Sequence, residues 1–245
     1  MRYAIISDIH ANLSALHVVL RDAEARGCES VVCLGDLIGY GKEHAECLQL
    51  VRERAVSCVR GNFNDYVSTE VDLSAFNPTA AEAVRQMRGA LTSDDVKWLS
   101  ALPYVMEFDG FTIVHATLDS PQSWGYVFDK LAAAASFAYQ STPLCFFGHT
   151  HVPIAFMRDT VVRGGTYSKL KIDPAKKYFI NPGSVGQPRD NNSKASYATY
   201  DSGNGYIELR RLNYERSSPD DGENFPGVPV PRSFPPLFGG NAAQL

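Results

Sequence analysis

Seven side chains in this 245-residue chain carry donor atoms of the kinds that bind transition metals, and they fall in five short clusters. Asp8 and His10 stand in "SDIH", Asp36 in "LGDLIGYG", Asn62 in "GNFND", His115 in "VHA", and His149 and His151 in "GHTH". Carboxylate, imidazole and amide oxygen together suit manganese, iron or zinc better than calcium. Seven donors exceed what one four-coordinate ion takes, whereas a bridged pair of divalent ions would use them all. Phe63, in the middle of "GNFND", has no donor atom to add, so its presence there needs a reason.

Donors this far apart in sequence converge only if the fold brings them to one edge. "YAIIS" is an apolar run that predicts a strand, and Leu13, Leu16, Leu20 and Ala23 recur at helical spacing after it until Gly27 stops the pattern. "VVCLGD" predicts a second strand, residues 43 to 54 a helix, and "AVSCVRGN" a third strand. Three strand-helix units in the first 60 residues predict a largely parallel or mixed sheet covered by helices. Residues 65 to 103 change character and predict a helical insert, with Pro78 near one helix start and Ser93 before two acids at another. "YVMEFDGFTIVHA" predicts a hairpin turning at Asp109 and Gly110, followed by a helix near 129 to 139 and a buried strand "LCFFG". "PIAFMRDTVVRG", "KYFIN" and "ASYATYDSGNGYIELRRL" read as further strands. Each donor cluster directly follows a predicted strand, and the carboxyl ends of strands are where α/β sheets bind ligands.

The order D-x-H, G-D, G-N, a lone histidine after a strand and G-H-x-H is similar to that of the calcineurin-like metallophosphoesterase superfamily. The strings "SDIHANLSAL", "GDLIGYG" and "FINPGSVGQPRD" resemble its small prokaryotic members related to diadenosine tetraphosphatases, over residues 2 to about 212. The resemblance implies a four-layer α/β/β/α sandwich of two mixed sheets flanked by helices. It implies a phosphatase or phosphodiesterase in which Asp8, His10 and His151 hold one divalent ion, Asn62, His115 and His149 a second, and Asp36 bridges both. A hydroxide between the ions would attack phosphorus in a phosphate ester or anhydride. Asp36, Asn62 and Arg189 would serve catalysis, Arg189 of "GQPRD" reaching a phosphate oxygen. Asn12, Arg60 and Phe63 would lie just behind the ligands. The expected partner is a small phosphorylated molecule, a nucleotide included. A dinucleoside polyphosphate hydrolase is the alternative, and a metal-binding scaffold with weak catalysis a further one.

Many superfamily members carry histidine where this chain has Phe63, to protonate the leaving oxygen or bind phosphate. Here Asn64 replaces the acid that often follows, and Gly39 or Tyr40 stands where an acid supports that histidine in the protein phosphatases. Phenylalanine performs neither task. Loss of a general acid removes about 10²- to 10⁴-fold in rate, so the expected chemistry is hydrolysis limited to leaving groups that depart easily.

The formal net charge is −4 and the basic residues form no stripe, which speaks against a phosphate-backbone binder. Five cysteines with no C-x-x-C pair indicate neither a disulfide framework nor a zinc ribbon. The longest apolar candidate, "LAAAASFA", is too short to cross a bilayer, and "MRYAIISD" does not read as a signal peptide. A cytoplasmic protein with no membrane partner is expected. The expected domain runs over residues 1 to 216, followed by a tail at 217 to 245 with six prolines. Phe225, Phe234, Leu237 and Phe238 give that tail apolar anchors, so it is expected to lie on the domain as a strap.

Overall fold

The computed structural model describes residues 1–76, 78–215 and 235–237. In chain order the first elements are β1 (Arg2–Ile6), α1 (Leu13–Ala25), β2 (Ser30–Cys33), α2 (His44–Glu53) and β3 (Ser57–Cys58). Three helices follow, α3 (Asn62–Ser68), α4 (Pro78–Ala90) and α5 (Ser93–Ser100). Then come β4 (Val105–Phe108), β5 (Phe111–Val114), α6 (Lys130–Tyr139) and β6 (Leu144–Phe146). The chain continues through β7 (Ile154–Arg158), β8 (Val162–Gly165), β9 (Lys169–Lys171), β10 (Lys177–Asn181), β11 (Ala195–Asp201) and β12 (Tyr206–Leu212).

Two six-stranded mixed sheets result, ordered β3-β2-β1-β11-β12-β9 and β4-β5-β6-β10-β7-β8. β1, β2 and β3 run parallel, as do β5, β6 and β10. Strand alternation sorts the side chains into layers. Ala4 and Ile6 of β1 pack with Leu16, Val19 and Leu20 of α1, while Ile5 between them faces Phe111, Phe146 and Ile180 of the other sheet. On β10, Tyr178 and Ile180 enter that central layer, and Phe179 turns outward to Phe137 of α6. Helix, sheet, sheet, helix is therefore the order of layers, and the buried apolar faces on both sides of each sheet hold them together.

Two local features differ from expectation. The third strand has only two residues, because the Arg60 amide leaves the ladder and donates to the Pro103 carbonyl at 2.8 Å. β9 is absent from the sequence reading. Its three residues bury only Leu170, too few for alternation to be seen.

The boundary expected at 216 to 217 lies outside the described residues, as do Phe225, Phe234 and Phe238 of the tail. Pro235 to Leu237 are described. The Thr166 amide donates to the Pro235 carbonyl at 2.9 Å and the Leu237 amide to the Thr166 carbonyl at 3.0 Å, and Leu237 is buried in the layer between the sheets.

Candidate metal centre

The sequence places each donor cluster on a turn that leaves the carboxyl end of a strand, and the fold gathers those turns at one edge of the sandwich. Asp8 and His10 follow β1, Asp36 follows β2, Asn62 opens α3 after β3, His115 follows β5, and His149 and His151 follow β6. Five of these residues have left-handed backbone, with φ of 53° at Asp8, 49° at His10, 52° at Asp36, 66° at His149 and 58° at His151. Residues with a Cβ rarely adopt that region, and such strain is held only where the surroundings enforce it. Close approach supplies the enforcement. A Cβ at Gly61 would lie 2.2 Å from Asp36 Oδ1, and one at Gly148 would lie 2.0 Å from Ser7 Oγ.

Asp8, His10 and His151 form one buried donor group, and Asp36, His115 and His149 a second. The Asn62 Oδ1 joins the second, 3.3 Å from His115 Nε2. Each of the four histidines in these groups has one ring nitrogen against a backbone carbonyl. His10 Nδ1 meets the Ile38 oxygen at 3.1 Å, His115 Nδ1 the Leu34 oxygen at 2.7 Å, His151 Nδ1 the Gln187 oxygen at 2.6 Å, and His149 Nε2 the Trp124 oxygen at 2.9 Å. A carbonyl only accepts, so these nitrogens carry the protons. Where the ring is neutral, its other nitrogen offers a lone pair to the cluster, the arrangement that orients imidazole for metal ligation.

His10 Nε2 and His151 Nε2 lie 3.0 Å apart. Two facing lone pairs at that distance repel unless a positive charge sits between or beside them. A proton is a poor candidate. Burial drives the His10 pKa down to about 3, against the pull of Asp36, and drives His151 well below the usual histidine value, with Arg189 adding to the effect. The nearby carboxylates are short of partners too. Asp8 Oδ2 accepts from Ser7 Oγ at 2.6 Å and from the His149 amide at 3.1 Å, but Asp8 Oδ1 is buried with no hydrogen-bond partner. It stands 3.4 Å from His151 Nε2 and 3.8 Å from His10 Nε2. Burial raises Asp8 to about 6, with His115 opposing and Asp36 adding to the rise. His115 moves the other way. Burial lowers it, yet the Asp36 and Asp8 charges and the Leu34 carbonyl together raise it to about 9. A buried cluster of this kind is built for cations: the donor set, the facing nitrogens and the orphaned carboxylate oxygen all fit divalent metal.

Residues 1–205 match the calcineurin-like phosphoesterase superfamily domain. The chain belongs to that superfamily. A metallophosphoesterase from Sphaerobacter thermophilus has the same fold, with a TM-score of 0.77 and 36% identity over 88% of this chain and 89% of that one. An uncharacterised protein of Methanocaldococcus jannaschii is 36% identical over 218 residues, which cover 86% of this chain and 87% of the relative. A hypothetical protein of Pyrococcus horikoshii, 16% identical, shares the fold alone, with a TM-score of 0.66 over 87% and 88% of the two chains.

Within this calcineurin-like frame, the remaining expected site residues take different places. Arg189 is buried beside the cluster, its Nη2 donating to Gln187 Oε1 at 2.7 Å and to Tyr40 Oη at 3.2 Å. Its Nε has no hydrogen-bond partner among the described residues. Asn12 caps α1 by accepting from the Ala15 amide at 3.0 Å, and its Nδ2 donates to the Gly186 carbonyl at 3.0 Å and Tyr214 Oη at 3.1 Å. It fixes the turn that carries His10 and lends the donors no hydrogen bond of its own. Arg60 departs from expectation. Its guanidinium points away from the donors to the Leu102 and Ser100 carbonyls, Asp65 Oδ1 and Tyr104 Oη, because the end of α5 offers it buried acceptors. It ties the end of α5 to the turn before α3.

Phe63 packs edge-on against His10, with ring centroids 5.2 Å apart, and against Tyr40 at 4.8 Å. Its amide donates to Asp36 Oδ1 at 2.9 Å. Gly39 has φ of +122°, and a Cβ there would meet His10 Nδ1 at 2.6 Å and the Phe63 ring at 3.1 Å. A side chain at position 39 has no room between His10 and this phenyl ring, and Tyr40, the other position where an acid was considered, packs its ring on Phe63. Asn64 Oδ1 accepts from the Asp36 amide at 2.8 Å and the Gly61 amide at 3.0 Å, tying two donor turns together. Trp124 and Gln187 escaped the sequence reading because each meets a histidine through its backbone carbonyl, which leaves no mark on residue type, although Gln187 also holds Arg189 through its side chain. Tyr126 also escaped it, although an aromatic residue in the loop after His115 was visible.

Proposed function

We propose that the protein is a dinuclear metal-dependent phosphoesterase. Asp8, His10 and His151 hold one divalent ion, Asn62, His115 and His149 hold the other, and Asp36 serves both. The observation that carries this reading is the pair of imidazole nitrogens 3.0 Å apart, each ring's other nitrogen meeting a backbone carbonyl, beside Asp8 Oδ1, which has no hydrogen-bond partner among the described residues. Manganese, iron or zinc ions bound there supply Lewis acidity toward phosphoryl oxygen and a nucleophilic hydroxide at neutral pH. The chain's own residues bind and orient. Arg189 presents a donor-only fork to the phosphate, and the carbonyls of Leu34, Ile38, Trp124 and Gln187 keep the four rings in register. The substrates are phosphate esters or anhydrides whose leaving group needs little protonation, since Phe63 has no proton to give.

Aromatic rings around the site favour a nucleotide among these substrates. Tyr40 and Phe63 pack on His10 with Tyr66 against Phe63, Tyr126 stacks on His149 with Phe128 against it, and such surfaces receive a nucleobase well. A dinucleoside polyphosphate fits this second reading. A scaffold without catalysis fits less well, because all seven donors are present.

Elemental analysis of manganese-loaded protein is expected to find two ions per chain, and Asp36→Asn to lower occupancy of both sites. Hydrolysis of 4-nitrophenyl phosphate, its bis ester and diadenosine tetraphosphate by the loaded protein should stop on chelation. One ion per chain with unchanged loading in Asp36→Asn overturns the paired site, and loaded protein inert to the whole panel overturns the hydrolase.

A further inference from the structure

The stretch "NPGSVGQ" leaves β10 and presses against the turn that carries Asp8 and His10. The Val185 amide donates to the Ser7 carbonyl at 2.9 Å and the Gly186 amide to the Asp8 carbonyl at 3.0 Å. A Cβ at Gly186 would strike the Ile9 carbonyl, so only glycine admits this approach. Ser184 stands in the middle of the contact and is wholly buried. Its hydroxyl donates to the Asp8 carbonyl at 2.7 Å and accepts from the Gln187 amide at 2.7 Å. Gln187 in turn offers its carbonyl to His151 Nδ1 at 2.6 Å. One side chain therefore bonds both to the backbone of Asp8, held at φ of 53°, and to the residue that orients His151. These are the two donors that face each other, Asp8 Oδ1 lying 3.4 Å from His151 Nε2. The other donor group has different supports. His115 and His149 meet the Leu34 and Trp124 carbonyls, and the link between the halves is the His149 amide, which donates to Asp8 Oδ2 at 3.1 Å.

We propose that Ser184 is the positioning residue for the Asp8, His10 and His151 half of the metal centre. The inference rests on the paired-metal reading above and separates the two ions by what holds their ligands. The proton of this hydroxyl is committed to the Asp8 carbonyl, so Ser184 acts on the ligands and not on substrate. Without it the Gln187 amide is a buried donor that has lost its acceptor, and a peptide that turns to find another carries its carbonyl away from His151. Asp8 keeps the Gly186 amide but loses half of what bonds to its carbonyl. Loss of such support weakens metal binding about 10- to 100-fold.

The test is manganese titration of metal-free protein, with free manganese(II) read from its EPR signal. Ser184→Ala is expected to weaken one ion about 10- to 100-fold and to leave the other within about 2-fold. Added to His149→Ala, which leaves the Asp8 half intact, it is expected to weaken the remaining ion by the same factor. Added to His151→Ala, it is expected to change binding by less than about 2-fold. Ser196 is equally buried beside the same turn, and its hydroxyl donates to the Pro182 carbonyl at 2.6 Å. Ser196→Ala is therefore expected to lower Tm and leave both affinities as they are, which separates positioning from packing. Ser184→Cys, whose thiol bonds only weakly, is expected to fall between wild type and Ser184→Ala, and it carries the comparison if the alanine variant does not fold. Unchanged affinities on loss of the hydroxyl, equal weakening of both ions, or the same loss in Ser196→Ala or on the His151→Ala background overturns the inference and leaves the paired centre standing. Wild type that takes up fewer than two ions overturns the paired centre itself, and the inference falls with it.

Discussion

At the scale of single residues, the site is organised by which nitrogen of each histidine is tied up. Four backbone carbonyls take one ring nitrogen each, and that choice alone turns four lone pairs onto one small volume. Phe63 belongs to the same arrangement: its ring packs edge-on against His10 in the space a larger residue at position 39 would occupy. Phe63→His is therefore expected to raise turnover of alkyl phosphates by less than about tenfold, below the range of an effective general acid. Neither Gly39 nor Tyr40 offers a carboxylate to orient the new imidazole. The check is kcat/KM on glycerol phosphate for both proteins at equal metal content, and a gain of a hundredfold or more would show that the packing around position 63 leaves the imidazole free to act.

At the scale of elements, short turns between strand and helix do most of the work, because five left-handed donor residues must be held against their own backbone preference. Asn64 is the tie between two of those turns, accepting from the Asp36 and Gly61 amides. Asn64→Ala leaves two buried donors unpaired and is expected to cost roughly 2–4 kcal/mol, read by urea denaturation, with weaker metal uptake. Asn64→Asp retains an acceptor oxygen for both amides but buries a further carboxyl beside Asp36, so it is expected to keep more of the stability at acidic pH, where that carboxyl is protonated, than at pH 8. Equal losses in the two variants would mean that the side chain's volume, and not its acceptor, matters. The element readings from sequence were sound where periodicity ran long, as in α1, and failed where it was short. β3 ends after two residues because the Arg60 amide finds Pro103, and β9 has a single buried side chain to announce it.

At the scale of the molecule, the two sheets meet in one apolar layer, and the far end of the chain returns to that layer at Leu237. Gly165 allows the approach, since a Cβ there would lie 2.2 Å from the Pro235 carbonyl oxygen. Leu237→Ala is expected to lower stability by about 2 kcal/mol in chemical denaturation without changing metal content. An unchanged midpoint would mean that the segment rests on the domain without contributing to it. Among the described residues no helix is long and apolar enough to cross a membrane.

The sequence by itself determined the donor types, their order and their position after strands, and through them the fold class. Those signals are local: residue identity, two- and 3.6-residue periodicity, and glycines at turns. Only the tertiary structure decided which ring nitrogen of His10, His115, His149 and His151 faces inward, that Arg60 bonds to the end of α5, that a side chain at position 39 would press on His10 and Phe63, and that Tyr126 stacks on His149. Each of these depends on a partner many residues away in the chain, often a backbone carbonyl, which every residue except its neighbours' geometry leaves indistinguishable in sequence.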